Sequence, residues 1–341
     1  MKLTTVIPAF NEANTITDVI QGILKQKIPE VDQIDVLVVD DGSTDETARL
    51  ASESGAKVIS NGTNRGLGFT FARGLTEAIH DGADIVVNID GDGQFNPDDI
   101  PKLITPVLRG EADFVTASRF ADPELIPNMP RTKLWGNRLM SRIMSTLLRQ
   151  KFYDVSCGFR AYSREAALRL NLWGRFTYTQ EVFLDLAVKQ MRIKELPVKV
   201  LGVRPVGESR IARSLGRYAM QTAAIIFRSY RDYWPLRFFG WISLPFLLIG
   251  LLLLGFFGLH YVRTGTFSPH LWAGFTAAAF LFVGIFTLAV GFMADMLKRI
   301  RLNQEEFIFR QRLDTFGSGN TENRFGAPDA KPNQERTEYS P

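Results

Sequence analysis

Two stretches of this chain, Phe238–Val262 and Leu271–Met293, contain no Asp, Glu, Lys or Arg. Each exceeds the roughly 20 apolar residues that a helix needs to cross a bilayer. A pair of buried core helices would have the same composition. Here, however, only RTGTFSPH separates the runs, and charge brackets both: Arg228, Arg231 and Arg237 before the first, Lys298, Arg299 and Arg301 after the second. The connecting loop carries one arginine, Arg263. The pattern predicts an integral membrane protein with a transmembrane hairpin over 238–297, its spans at 238–262 and 271–293. By the positive-inside bias, the catalytic region and both termini face the cytoplasm. Met1 runs directly into a strand-like Leu3–Ile7, so no signal peptide is expected.

The 341 residues leave room for one large domain ahead of the hairpin. A single cysteine, Cys157, excludes an intrachain disulfide and offers no zinc spacing, and it reads as a small packed residue. The histidines, His80, His260 and His270, are scattered, which argues against a transition-metal site. Net charge is only +4, but Arg204, Arg210, Arg213, Arg217, Arg228, Arg231 and Arg237 crowd one region. Over 212–237 arginines alternate with Tyr218, Ile225, Phe227, Tyr230, Tyr233 and Trp234. That suits helices lying in the bilayer interface against membrane lipids; a solvated basic face that only orients the anchor fits as well. Nucleic acid is not an expected partner, because no recognition motif is present and the basic stretch abuts a span. Residues 298–341 form a tail, basic and amphipathic to about Leu313, then polar and Gly/Asn/Pro-rich and expected to be disordered. Neither span contains G-x-x-x-G, yet Gly250 and Gly255 offer small surfaces to a neighbour, so a homo-oligomer stays open.

Ahead of the hairpin, buried-strand and helix patterns alternate. Leu3–Ile7 ends in PAFNEAN, and Ala13–Leu24 follows with helical spacing. Ile34–Val39 ends in DDGSTDET, where Ser43 and Glu46 match a helix capping box that leaves Asp40 and Asp41 unexplained. Lys57–Ile59, a helix after NGTNRGLG, Ile85–Ile89, a helix over Pro97–Leu108 and Phe114–Ala117 complete the alternation. It predicts an α/β domain over 1–211, Rossmann-like, with a mostly parallel sheet and helices on both faces. Ligands of such sheets gather beyond the carboxyl ends of the strands. Asn11, Glu12, Asp40, Asp41, Asp90, Asp92 and Arg119 all fall there. No Walker sequence and no G-x-G-x-x-G follows the first strand, which disfavours P-loop and dinucleotide enzymes.

The densest chemistry is IVVNIDGDGQFNP, Ile85–Pro97. Asp90, Asp92 and Gln94 alternate with Gly91 and Gly93, which permit a tight turn. Carboxylates this close repel each other, and a protein keeps them where a cation neutralises them. Oxygen-only ligands favour Mg²⁺ or Mn²⁺. Taken alone, an Asp/Gly loop that turns the chain and caps the next helix accounts for the same residues.

PAFNE, VVDDGSTD, NRGLG and DGDGQFNP together resemble the metal-dependent family 2 glycosyltransferases of GT-A fold, over roughly Met1–Ile211. DVSCGFRAYSREA is similar to the S-G-F-R segment of dolichol (polyprenyl) phosphate mannose and glucose synthases, and VRPVGESRI to their G-x-S-K/R loop. The C-terminal hairpin matches their bacterial and archaeal members. The resemblance implies a nucleotide-sugar donor, GDP- or UDP-linked, and a polyprenyl phosphate acceptor, dolichyl or undecaprenyl. It places Pro8, Phe10 and Glu12 against the nucleoside, with Asp41, or Asp40, near its base or ribose. Phe10 stands where relatives often have tyrosine, and Gly91 where alanine is common. Asp90, Gly91 and Asp92 face the diphosphate, with Asp90, Asp92 and Gln94 toward the metal and Arg119 on a phosphate. Arg204, Ser209 and Arg210 belong to a loop closing over donor and acceptor, and Arg138 and Ser141 are candidates for the acceptor phosphate. Asp92, Arg119 and Arg204 are then the residues on which catalysis depends.

A departing nucleoside diphosphate gathers negative charge, which a divalent cation and arginine forks stabilise without a general acid. A phosphate monoester acceptor, with its second pKa near 6, is largely dianionic at neutral pH and needs no base. Single displacement then inverts the anomeric centre. Glu181, in FTYTQEVFLDLA, lies where hydroxyl-directed relatives place a base; helix-start electrostatics, acceptor positioning and base catalysis are all open to it. Two other functions remain: a transferase acting on a hydroxyl of a lipid-linked glycan or polysaccharide, and a non-catalytic sugar-nucleotide-binding membrane protein. Processive synthases of the former kind usually carry more spans and Q-x-x-R-W, which is absent here.

Overall fold

Continuous runs of β-branched and aliphatic residues have no polar face, so they are stable only as strands covered on both sides. The computed structural model, which describes residues 1–172, 178–201, 224, 227–228 and 230–316, places them so. Strands β1 (Lys2–Ala9), β2 (Gln33–Asp40) and β4 (Ile85–Asn88) lie side by side in parallel, with Ala9 opposite Asp40 and Val6 opposite Asn88. Alternate residues enter opposite layers. Ile7, Val38 and Val87 join one apolar core; Val6, Val39 and Val86 join the other.

Short edge strand β3 (Lys57–Ser60) extends the sheet beyond β2. On the other side come β6 (Arg160–Ser163), β5 (Phe114–Ser118) and β7 (Ile193–Pro197), giving the order β3-β2-β1-β4-β6-β5-β7. Only β6 runs antiparallel to its neighbours β4 and β5. Helices α1 (Ile16–Leu24), α2 (Thr47–Glu53) and α4 (Ile100–Leu108) cover the first layer. Helices α3 (Leu67–His80), α5 (Arg131–Leu148), α6 (Arg164–Arg169) and α7 (Thr179–Val188) contribute to the second. Connections from β1 lead to β2 on one side, while β4 lies on the other. The crevice between the β1 and β4 loops is therefore a topological switch point, where such sheets bind ligands.

The capping-box expectation is corrected. Helix α2 starts at Thr47 with Glu46 in the N-cap position and no side-chain cap. Ser43 Oγ instead accepts from Asn11 N at 2.9 Å, and Asp45 Oδ1 accepts from Thr47 N at 3.1 Å. A tertiary contact draws Ser43 away: Asn11 holds φ 54°, and its Oδ1 also accepts from Thr44 N at 2.8 Å.

Two helices long and apolar enough to cross a membrane follow, Pro235–Thr264 and Leu271–Phe316, with mean hydropathy 2.5 and 2.3 in their most apolar windows. They pack against each other through small residues. A Cβ on Gly250 would lie 2.7 Å from Leu281 Cγ, and one on Gly284 would lie 2.7 Å from Leu247 Cδ2. Gly250 thus serves the hairpin itself, while Gly255 has nothing within 4 Å. The second helix does not stop at Met293. It runs on to Phe316 and lays its last turns on the sheet domain, burying Phe309 and Glu305. Arg169 pairs with Glu306 at 2.9 Å, and Arg312 Nη1 donates to Leu168 O at 2.8 Å and Leu170 O at 3.1 Å. Beneath them, Lys189 reaches Asp185 at 2.8 Å and Glu305 at 3.1 Å, and Arg301 donates to Glu305 and to Tyr233 Oη. Most of 202–229 and all of 317–341, which take in much of the expected interfacial segment and the end of the tail, lie outside the described residues.

Candidate functional site

Three loops meet at the switch point, and hydrogen bonds between threonine hydroxyls and backbone groups tie them together. Thr15 Oγ1, just beyond the β1 loop, donates to Gly91 O at 2.6 Å, tying that loop to the acidic turn after β4. Glu12 N donates to Thr47 Oγ1 at 2.8 Å, tying it to the β2 loop. Pro8 is buried within β1, and Phe10 and Glu12 are half-buried beside it. Asp40 accepts from Ser43 N at 3.1 Å and Ser60 Oγ at 3.0 Å. Asp41 accepts from Arg65 N at 2.8 Å, Gly66 N at 3.0 Å and Asn61 Nδ2 at 2.9 Å. Both carboxylates are buried, and both shape the 61–66 loop that borders the crevice.

In the acidic turn Asp92 is buried and its Oδ1 accepts from Gln94 N at 3.0 Å. Gln94 Nε2 donates to Leu201 O at 3.0 Å, and Leu201 N to Gln94 O at 3.1 Å. The turn is thereby clipped to the segment that leads toward Arg204, Ser209 and Arg210, which themselves lie outside the described residues. Asp90 lies directly on Gly158: a Cβ there would sit 2.8 Å from Asp90 Oδ2 and 3.1 Å from Oδ1. Asp90, seated where only glycine leaves room, offers with Asp92 and Gln94 oxygen donors of the kind that fit a hard dication.

Arg119, at the end of β5, forms a two-pronged ion pair with Asp154, Nε–Oδ2 at 2.6 Å and Nη2–Oδ1 at 2.9 Å, and Nη2 also donates to Ser156 Oγ at 2.7 Å. Burial opposes ionisation of Asp154, but the Arg119 guanidinium more than offsets it and holds the carboxyl below its ordinary range. Ser141, expected at the acceptor, is buried and its hydroxyl donates to Tyr153 O at 2.8 Å, joining α5 to the 152–156 loop. Arg138 is exposed on the same helix. Burial pushes the Cys157 thiol up to about 12, consistent with a packed residue.

Residues 4–170 match the Glycosyl transferase family 2 domain. The chain is 31% identical over 216 residues to the UDP-N-acetylglucosamine–dolichyl-phosphate N-acetylglucosaminyltransferase of Methanococcus voltae, covering 58% of this chain and 84% of that one. It is 30% identical over 225 residues to the polyprenol monophosphomannose synthase of Mycolicibacterium smegmatis, covering 63% and 83%. This chain belongs to the family 2 glycosyltransferases. Among solved structures, glucosyl-3-phosphoglycerate synthase from Mycobacterium tuberculosis, in complex with Mn²⁺, UDP and phosphoglyceric acid, superposes with a TM-score of 0.53 at 27% identity, covering 67% of this chain and 78% of that one. The mixed, mostly parallel sheet is thus of the expected GT-A type.

Several residues that support the candidate site were not anticipated. Asn88, a buried polar residue inside the apolar β4, donates from Nδ2 to Gly158 O at 2.7 Å and Tyr178 Oη at 2.8 Å. An amide interrupting an apolar strand was the available signal. Burial, and then the nearby Asp90 carboxylate, push the Tyr178 phenol well above its ordinary value. Arg160, fully buried, donates to Cys157 O at 2.8 Å and Thr179 O at 3.0 Å, and its guanidinium lies over the rings of Phe114, Tyr178 and Phe183. It joins the loop beneath Asp90 to the start of α7, whose first turn carries Glu181.

Two other features lie away from these loops. Glu77, His80 and Asp81 bring three ligand atoms within 4.8 Å of one another, but Lys57 Nζ already sits 2.7 Å from each carboxylate. A cavity of about 320 Å³ between α3, α6 and the long helix contains none of the expected site residues.

Proposed function

We propose that this glycosyltransferase moves a monosaccharide from a nucleoside-diphosphate sugar, UDP- or GDP-linked, to a polyprenyl phosphate, with inversion and at a membrane surface. The observation that carries the reading is the acidic turn at the β1/β4 switch point, where Asp90 is seated on Gly158 and Asp92 is held by its own turn. Relatives named for transfer to dolichyl phosphate and polyprenol, and a neighbour crystallised with Mn²⁺ and UDP, support the substrate class. Asp90, Asp92 and Gln94 would hold Mg²⁺ or Mn²⁺, which when bound supplies charge stabilisation for the departing diphosphate.

The chain's own residues do the rest. Pro8, Phe10 and Glu12 line the nucleoside side of the crevice, and Asp40 and Asp41 hold the facing 61–66 loop. Arg119 is oriented by Asp154 toward donor phosphate. Arg204, Ser209 and Arg210, with Arg138, take the acceptor phosphate. An acceptor dianion attacks the anomeric carbon from the face opposite the leaving group without an essential base; Glu181 positions rather than deprotonates. The two apolar helices cross the bilayer and keep the domain on its cytoplasmic side.

The purified full chain, given Mg²⁺ or Mn²⁺, undecaprenyl or dolichyl phosphate and a panel of UDP- and GDP-sugars, is expected to form a chloroform-extractable, mild-acid-labile product, lost on EDTA treatment. Product that resists mild acid would place the sugar on a hydroxyl and overturn the acceptor assignment. Full activity in EDTA would overturn the metal assignment.

A further inference from the structure

Glu195 puts a carboxylate on the inward face of β7. Ile193, two residues before it, is buried in the second core, whereas Lys194 between them is exposed and pairs with Glu111 at 2.8 Å. A charged group on that inward face is costly unless hydrogen-bond donors meet it. Here Oε1 accepts from Asp154 N at 2.6 Å and Oε2 from Tyr153 N at 2.8 Å. Burial holds the carboxyl above its ordinary range, partly offset by the Ser118 hydroxyl and these two amides.

These donors belong to the two segments that hold Arg119. Ser118 precedes it at the end of β5, and Glu195 lies opposite Thr116, one diagonal step from Ser118 on the same face. Ser118 Oγ also accepts from Ala121 N at 3.0 Å, which folds the chain just beyond Arg119. Asp154 supplies the other half of the two-pronged pair, and Arg119 N donates to it at 3.2 Å as well. One carboxylate thus fixes the backbone under both partners of that pair. The loop has separate ties to α5: Ser141 Oγ donates to Tyr153 O at 2.8 Å, and Phe152 N to Ser145 Oγ at 2.9 Å. Removing Glu195 therefore leaves the loop attached and loosens chiefly the placement of Asp154 against Ser118.

We propose that Glu195 is a positioning residue for glycosyl transfer. It acts through Arg119, aligning Asp154 with the end of β5 so that the guanidinium fork meets the donor diphosphate at a fixed distance and angle. A planar fork held from behind matches two phosphate oxygens, whereas one that swings loses the match as charge develops on the departing group. This role rests on the reading above that places Arg119 on donor phosphate.

The test is a double-variant cycle on the full chain in nanodiscs, with undecaprenyl or dolichyl phosphate, Mn²⁺ and the UDP- or GDP-sugar that the donor panel selects. Glu195→Gln turns an amide NH₂ against a backbone N–H and is expected to lower kcat about 10-fold, with donor KM within about threefold. Arg119→Lys is expected to lower kcat by about 10²-fold. In that background Glu195→Gln should cost no more than about a further twofold, because a lysine gains nothing from a held fork. Ser118→Ala should lower kcat about threefold, and likewise only while Arg119 is present. It carries the same cycle should Glu195→Gln fail to fold. Ser145→Ala loosens the loop away from Arg119, so its unfolding midpoint should fall while kcat stays within about twofold. Losses that multiply in the double variants overturn the proposal, as does a parental kcat in Glu195→Gln. A kcat in Ser145→Ala as low as that of Glu195→Gln marks a general loop effect and also overturns it. Parental turnover in Arg119→Lys, or no turnover and no nucleotide binding by the parent chain, removes the donor-phosphate reading and the proposal together.

Discussion

The β4 turn and the joint under the long helix both gather carboxylates inside the molecule, but they treat them differently. At the joint, Asp185 and Glu305 face Lys189 and Arg301, so the chain brings its own cations. Around the β4 turn, the contacts that define the carboxylates are backbone amides and glycine: Asp92 takes the Gln94 amide, Asp41 takes those of Arg65 and Gly66, and Asp90 lies on Gly158. Amides orient a carboxylate and stabilise its ionised form while supplying only partial charge. The first arrangement fastens two parts of the chain together. The second fixes carboxylates through the backbone at the strand ends, the arrangement proposed above to receive a divalent cation.

That contrast breaks first at Asp92. Asp92→Asn keeps the shape and the Gln94 N–H partner but removes the charge, and turnover is expected to fall by about 10²-fold or more with little change in thermal stability. A loss of stability comparable to that of the joint variants would mean that Asp92 is a structural acid like Glu305. At the joint the expectation is reversed. Glu305→Ala deprives Lys189 and Arg301 of a buried partner, at a cost of about 2–3 kcal/mol in the docking of the last helical turns. Hydrogen exchange over 298–316 should accelerate by roughly 30- to 100-fold, a local opening, while donor KM stays within about twofold.

These two regions also mark what could be read beforehand. The strands and their Asp/Gly ends are local signals: an apolar run, a stop, and polar groups at the carboxyl edge. The β1, β2 and β4 loops were therefore legible within a residue or two. The Arg119–Asp154 pair is not, because 35 positions separate its members and nothing in either neighbourhood names the other. The joint is still less so, since Asp185, Tyr233 and Glu305 meet only after the chain has made the whole hairpin. Charge returning after Met293 reads as the end of a span; the helix continues because Lys, Arg, Leu and Glu are good helix formers and Phe309 finds a buried seat. Ser43 shows the opposite failure, a correct local motif outbid by a tertiary partner at Asn11.

Gly158 sharpens the comparison at a finer scale. Gly158→Ala adds one methyl, 2.8 Å from Asp90 Oδ2 in the present geometry, so the carboxylate or the loop must move. A displacement of that size at a reacting centre is expected to lower kcat by about 10-fold, with the fold retained. An unchanged kcat and unchanged metal dependence would mean that the position of Asp90 is not critical.

The smallest effect concerns acid, and here the Arg119–Asp154 pair and the joint's Asp185 should respond with opposite sign. Asp154 has its folded pKa below the ordinary 3.8 because Arg119 outweighs burial, so its contribution is fully present above that value and is lost as pH falls through the lower folded one. Asp185 has its folded pKa raised, burial outweighing Lys189, so its contribution is present below 3.8 and is lost as pH rises through the higher folded one. The difference in midpoint between the parent chain and Asp154→Asn should therefore stay level from pH 7 down to about 4 and narrow only below that. The corresponding difference for Asp185→Asn should instead become less favourable to the parent as pH rises from about 4. If both differences moved in the same direction, the distinction between a carboxylate clamped by its arginine and one strained by its burial would be lost.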